Sequence, residues 1–245
     1  MDFKRYALYF VPPADAAWSR FATGWLGWDM EAGTPVPHPE IPGLPLPVSA
    51  ITETPRRYGL HATIKPPFRL AEGATRAQLE SACAGLCAGM APLRLQGMAL
   101  SRLGRFLALQ PRGDSDTDTG DNADGAGGGD TGALAALAGA CVARLDRFRA
   151  PPTLDELARR RAAGLTPRQE EYLTRWGYPY VLEEFRFHIT LTGRLMDPVL
   201  AVVEAALARD LGPLLPTPFE ITELALTGED AAGRFHLLHR YSLSA

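Results

Sequence analysis

Apolar and polar residues alternate with period two in two matching stretches of the chain, Leu60-His61-Ala62-Thr63-Ile64 and Phe187-His188-Ile189-Thr190-Leu191. Successive side chains on a strand point to opposite faces, so each stretch predicts a strand with one apolar face and one face carrying an imidazole and a hydroxyl. A single His-x-Thr strand would be unremarkable, since a lone strand histidine is usually structural. Two copies in matching apolar frames, in a chain with five His, predict a shared site with four converging polar groups.

The pattern around each motif predicts similar elements. Tyr6 to Val11 is aromatic and β-branched and stops at Pro12-Pro13, so it reads as a strand. Trp18, Phe21 and Trp25 recur at helical spacing before Gly27. Residues 33–47 hold six Pro and form an extended loop. Pro66-Pro67 are expected to end the first motif strand. A helix follows from the N-cap Thr75 to Met90, then strands over Leu93 to Leu100 and Phe106 to Leu109. The second motif strand, Phe185 to Leu191, is followed by a helix from about Val199 to Leu211 and strands over Phe219 to Leu226 and Phe235 to Leu243. Motif strand, helix, strand, strand thus occurs twice.

This predicts an α+β fold, a single bilobal domain with lobe one over about residues 1–112 and the motif and strands of lobe two over about 181–245. Between them, residues 113–132 carry seven Gly, six Asp and no large apolar side chain, which predicts a flexible acidic loop. The alternating Asp114, Asp116 and Asp118 do not make a calcium loop, because Thr119 and Gly125 stand where the EF-hand template needs Gly and Glu. A helical insert is expected over about 133–180. In it Thr153 with Glu156, and Thr166-Pro167 with Gln169, open two helices. Arg159-Arg160-Arg161 reads as a solvated helix face.

Composition narrows the function classes. The chain has 245 residues, 46% hydrophobic and 22% charged, which is ample for a core. A net charge of −3 argues against a dominant non-specific nucleic-acid surface. No run of about 18 apolar residues is present, and no signal-peptide pattern opens the chain. Three Cys at spacings unlike a redox or zinc motif read as reduced core residues of a cytoplasmic protein.

The doubled His-x-Thr resembles the signature of the 2H phosphoesterase superfamily, which includes the 2′,3′-cyclic phosphodiesterases and 2′-5′ RNA ligase-like proteins. The longer contexts Arg56-Arg57-Tyr58-Gly59-Leu60-His61 through Phe68 and Phe185-Arg186-Phe187-His188 through Arg194 resemble the 2H-like group of phosphonate-metabolism proteins, as does the opening Arg5 to Pro12. The resemblance implies two pseudo-symmetric lobes of antiparallel sheet with outer helices around a shared central cleft. It implies a phosphodiesterase in which His61 and His188 supply a general base and a general acid, in either order, with Thr63 and Thr190 holding phosphate oxygens. Imidazole suits both proton roles, because its ordinary pKa of about 6.5 leaves either form available near neutrality. No metal or cofactor is expected.

Strand parity extends the substrate-binding candidates. Lys65 lies two residues beyond Thr63, Arg186 two before His188, and Arg57 four before His61, so regular strands would turn all three to the cleft face. Tyr58 is off parity, but Gly59 can break the alternation. The expected partner is a small phosphorylated substrate, a sugar or nucleotide cyclic phosphate, with RNA less favoured and no membrane. Two other readings stay open: an enzyme processing RNA 2′,3′-cyclic phosphate ends, and a non-catalytic protein that binds a phosphorylated ligand.

Overall fold

In a computed structural model that describes residues 2–112 and 129–245, the chain folds around one seven-stranded antiparallel sheet. Its strands are β1 (Arg5–Phe10), β2 (Ala62–Phe68), β3 (Met98–Leu103), β4 (Phe106–Pro111), β5 (Ile189–Thr190), β6 (Glu223–Glu229) and β7 (Phe235–Ser242). Their spatial order is β7-β6-β1-β2-β5-β4-β3. The main helices are α1 (Ala17–Leu26), α2 (Arg76–Ala88), α3 (Gly129–Arg144), α4 (Leu154–Arg161), α5 (Pro167–Trp176) and α6 (Asp197–Asp210). This is the α+β architecture of antiparallel sheet and outer helices.

The two motif strands, β2 and β5, are neighbours at the middle of the sheet. Strands are exchanged across this junction. β3 and β4, which follow the first motif, stand beside β5, while β6 and β7, which follow the second, stand beyond β1. Each side of the sheet therefore draws strands from both ends of the chain.

One face of the sheet is the main core. Leu8, Phe10, Ala62, Ile64, Leu109 and Ile189 pack there with Trp18 and Trp25 of α1, Leu79 and Leu86 of α2, Leu134 and Cys141 of α3, and Leu200 and Leu207 of α6. Each large apolar side chain buried there contributes about 1.5–3 kcal/mol. The other face carries a smaller cluster of Ala7, Tyr9, Trp28, Met30, Ala225 and Phe235. Helices α2, α4 and α5 start with Thr capping boxes at Thr75, Thr153 and Thr166. Each such cap is worth about 1 kcal/mol.

Several expected boundaries shift. Pro66-Pro67 do not end the first motif strand, which runs on to Phe68. The β1–β2 register shifts between Leu8 and Tyr9 and again between Leu8 and Tyr6. Residues in such irregular steps need not donate to the ladder, so prolines fit there. The strand expected over Leu93 to Leu100 is split at Gly97: Leu93–Leu95 pairs with Phe219–Ile221 in a separate ribbon, and Met98 starts β3. Gly97 has φ 157°, and a Cβ there would meet Thr217 Oγ1 at 3.0 Å. The second motif strand is only Ile189–Thr190, with Leu182–Glu184 a 3-10 turn before it. Helix α3 begins at Gly129, inside the stretch expected as loop. The rest of that stretch, 113–128, lies outside the described residues.

Candidate active site

Ala62 of β2 pairs with Ile189 of β5. Continuing that antiparallel register by one residue on each side sets His61 across from Thr190 and Thr63 across from His188, with all four on the face away from the main core. The two rings are held in the same way. His61 Nδ1 lies 3.0 Å from Gly59 O, and His188 Nδ1 lies 2.8 Å from Arg186 O. A carbonyl can only accept, so each Nδ1 carries the hydrogen and each Nε2 of the neutral ring is left as a base. Thr63 Oγ1 lies 3.3 Å from His61 Nε2. Gly59 makes the first of these bonds possible: its φ of +70° is a left-handed conformation, and a Cβ there would meet Met30 Cε at 2.9 Å.

Burial acts on both imidazoles. It pushes His61 down to about 4, against the opposing pull of the Gly59 carbonyl, and the nearby His188 lowers it further. Burial also lowers His188, with the Arg186 carbonyl opposing. Both rings thus resist protonation until an anion lies between them.

The His61 ring faces a cavity of about 250 Å³ that Tyr9, Tyr58, Thr63, Thr190 and Thr192 help line, while His188 stands next to its wall residue Thr190 but does not itself line it. Tyr9 stacks on His61 with ring centroids 4.0 Å apart, and Tyr58 flanks it at 5.9 Å. Arg5, Arg160 and Tyr178 complete the polar wall. Arg57 does not reach this cavity. It lines an adjoining one, with its guanidinium over the Tyr58 ring at 5.2 Å.

Two more residues expected on the cleft face are elsewhere. In the ladder Tyr9 pairs with Thr63 but Leu8 with Lys65, so one extra residue, Ile64, breaks the alternation and turns Lys65 to the core face. Lys65 is 2% exposed; its Nζ donates to Val142 O at 3.0 Å and lies 3.6 Å from Asp146. Burial lowers its pKa to about 8, with Asp146 opposing. Arg186 is exposed, and its guanidinium donates to Glu183 O and Phe185 O. It precedes the short strand β5, so strand parity does not apply to it.

Four contributors escape pattern reading. Tyr9 was hidden in an apolar run, although its alternation with Leu8 and Phe10 carries the signal. Arg5 needed the β1–β6 pairing, where it meets Glu229. Arg160 and Tyr178 sit in the helical insert and come to the cleft only by tertiary packing. Thr192 is also structural: its Oγ1 accepts from Leu107 N at 2.9 Å and ties the end of the motif to β4. His236 Nε2 and Asp230 Oδ2 pair at 2.8 Å, outside the cavity. Among the described residues no group of three His, Cys, Asp or Glu is arranged to hold a metal ion, and no helix is long and apolar enough to cross a membrane.

The resemblance to the 2H phosphoesterases implies one His-x-Thr from each half of the chain, and here the two motif strands are neighbours in one antiparallel sheet. A family model described as a protein of unknown function, DUF1045, matches residues 63–236, and the chain belongs to that family. The chain is 38% identical over 234 residues to the ribose 1,5-bisphosphate phosphokinase PhnN of Janthinobacterium sp. (strain Marseille), covering 94% of this chain and 48% of that protein. It is 34% identical over 230 residues to the protein of the same name from Laribacter hongkongensis (strain HLHK9), covering 94% and 49%. The chain spans about half the length of these curated relatives. Among solved structures it is similar to E. coli LigT complexed with 3′-AMP, at 15% identity and TM-score 0.43 over 100% of both chains. It is also similar to Kluyveromyces marxianus Usb1, at 12% identity and TM-score 0.40 over 100% of this chain and 99% of that one.

Proposed function

We propose that the protein is a cytoplasmic, metal-independent phosphodiesterase that hydrolyses a small or cyclic phosphodiester, a sugar or nucleotide cyclic phosphate. The observation that carries this reading is the matched pair of imidazoles. Each is tied through Nδ1 to the carbonyl two residues before it, which leaves both Nε2 atoms for proton transfer. A water oxygen attacks phosphorus and gives its proton to one Nε2. The bond from phosphorus to the alcohol oxygen breaks, and the other imidazolium protonates that oxygen. His61, neutral at pH 7, suits the base. His188 suits the acid, because the phosphodiester anion raises imidazole pKa values and so returns a proton to the ring. Thr63 and Thr190 donate to the non-bridging oxygens, and Tyr58 and Arg57 contact the rest of the substrate from the cleft and the adjoining cavity.

The name carried by the relatives belongs to proteins about twice this length. A kinase of the P-loop type needs Gly-x4-Gly-Lys-Ser/Thr to cradle phosphates. This chain has no such run and only two lysines, Lys4 and the core-facing Lys65. The name therefore supports a sugar phosphate as substrate class rather than phosphoryl transfer by this chain, and the resemblance to the phosphonate-metabolism group supports a place in phosphonate metabolism.

The test is hydrolysis by purified protein in EDTA of 2′,3′-cyclic nucleotides, ribose cyclic phosphates and short RNAs ending in cyclic phosphate, beside the His61→Ala/His188→Ala protein. Turnover of a small cyclic phosphate that the double variant loses is the expected result. Full activity in either single His variant would sink the two-histidine mechanism, and activity that EDTA abolishes and added metal restores would sink metal independence.

A further inference from the structure

The geometry points to a second anion subsite: the arginine-lined cavity that adjoins the two-histidine cleft holds a phosphate monoester carried by the same small substrate. This inference rests on the reading of the cleft as the reacting site. The cavity has a volume of about 320 Å³ and is lined by Arg5, Arg57, Arg69, Arg149, Arg159 and Arg160. It shares Arg5, Tyr58, Pro67 and Arg160 with the cleft, so the two lie on either side of the same wall residues.

Carboxylates neutralise half of these guanidinium groups. Glu229 pairs with Arg5, Glu156 with Arg69 at 3.3 Å, and Asp146 with Arg149 at 2.7 Å. Among the described residues, Arg57, Arg159 and Arg160 have no such ion pair. Three uncompensated positive charges thus meet in one cavity of a protein whose net charge is −3. Two of them are oriented without being neutralised: Arg57 lies over Tyr58 at 5.2 Å and Arg160 over Tyr178 at 4.4 Å. An aromatic face orients a guanidinium without neutralising it, and although Arg160 also bonds the Tyr178 side chain, both groups keep N–H donors for an oxyanion edge.

Helix α4 has no buried residue, so the main core does not dictate its side chains. Within its basic run, Arg161 pairs with Glu170 while Arg159 and Arg160 line the cavity. A phosphate monoester with charge near −2 is the ligand that these unneutralised guanidinium groups match. A cavity of this size holds one phosphate and part of a sugar. The substrate class is then a phosphodiester that already bears a phosphate monoester, and its hydrolysis product is a bisphosphate.

The test is calorimetry with ribose 5-phosphate as the probe, on the wild-type chain, the Arg159→Ala/Arg160→Ala variant and the His61→Ala/His188→Ala variant. Wild-type and His-variant protein are expected to bind alike, and the arginine variant about tenfold or more weaker, the scale of one charge-assisted bond. Arg159→Lys/Arg160→Lys should recover part of the loss. Equal affinity in the arginine variant overturns the inference, as does a loss that follows the histidines instead. In a second arm, kcat/KM is compared for ribose cyclic phosphates with and without a 5-phosphate. A preference for the phosphorylated compound that the arginine variant loses supports the subsite, and a preference it keeps overturns it. If no cyclic phosphate is hydrolysed while the binding pattern holds, the hydrolase reading fails and the anion subsite stands.

Discussion

The two His-x-Thr strands read alike and lie side by side, yet they are supported differently. The first is a seven-residue strand flanked by β1, with Tyr9 stacked on His61 and Tyr58 beside it. The second is two residues long, sits between β2 and β4, and has Phe106 at 6.2 Å from His188. Both histidines make the same bond to the carbonyl two residues back, so the local pattern sets tautomer and direction. The surroundings set proton affinity, and they desolvate His61 enough to bring it to about 4. One motif used twice can thus supply two different proton carriers because its neighbours differ.

The strongest way to break this comparison is to remove each ring in turn. His61→Ala and His188→Ala are each expected to lower kcat on a hydrolysed cyclic phosphate by about 10²–10⁴-fold. A variant with a small effect would show that only one motif carries proton transfer. NMR titration of the ring protons sharpens the contrast. The His61 ring should stay neutral until pH approaches about 4, and His188 should titrate below the ordinary histidine range. The unfolded chain binds protons between about pH 6.5 and pH 4 that folded His61 refuses. Stability is therefore full above about pH 6.5 and falls as pH drops through that window, which urea melts at stepped pH would detect. His61 titrating at its ordinary value would remove the asymmetry.

Thr63→Val and Thr190→Val keep shape and remove a hydroxyl, so each should cost about 10–100-fold in kcat/KM, the worth of one hydrogen bond to a charged group. Equal losses would make the motifs equivalent as phosphate ligands despite their unequal strands. Lys65→Met separates stability from chemistry. It should cost about 1–3 kcal/mol in urea melts, through the unsatisfied Val142 carbonyl and the lost Asp146 contact, with kcat little changed. A drop in kcat with unchanged stability would return Lys65 to the cleft. The smallest effect is expected from Arg186→Ala, within about 0.5 kcal/mol in stability. It should leave hydrolysis nearly intact, because the guanidinium bonds only nearby carbonyls.

Much of this was legible in the chain. That His61 and Thr63 share one face is legible from alternation, because strand side chains strictly alternate wherever the ladder is regular, and with Thr190 they line one cavity. Caps at Thr75, Thr153 and Thr166 were legible because capping is local. Lys65 was misplaced for the converse reason: one bulge residue inverts parity, and nothing in Ile64-Lys65-Pro66 marks it. Arg159 and Arg160 read as a solvated face because a helix pattern shows which side is polar, not what lies opposite.

By itself the sequence determined the two imidazole-hydroxyl strands, the helices around them and the α+β class, all of which follow from side-chain periodicity and backbone capping over a few residues. Only the tertiary structure decided that β2 and β5 touch, that strands cross between the halves, that Tyr9 and Arg5 join the site, and that arginines from a helical insert face a cavity beside it. Those outcomes depend on contacts between residues far apart in the chain. Their free energy comes from shared burial and paired charge, which no local pattern records.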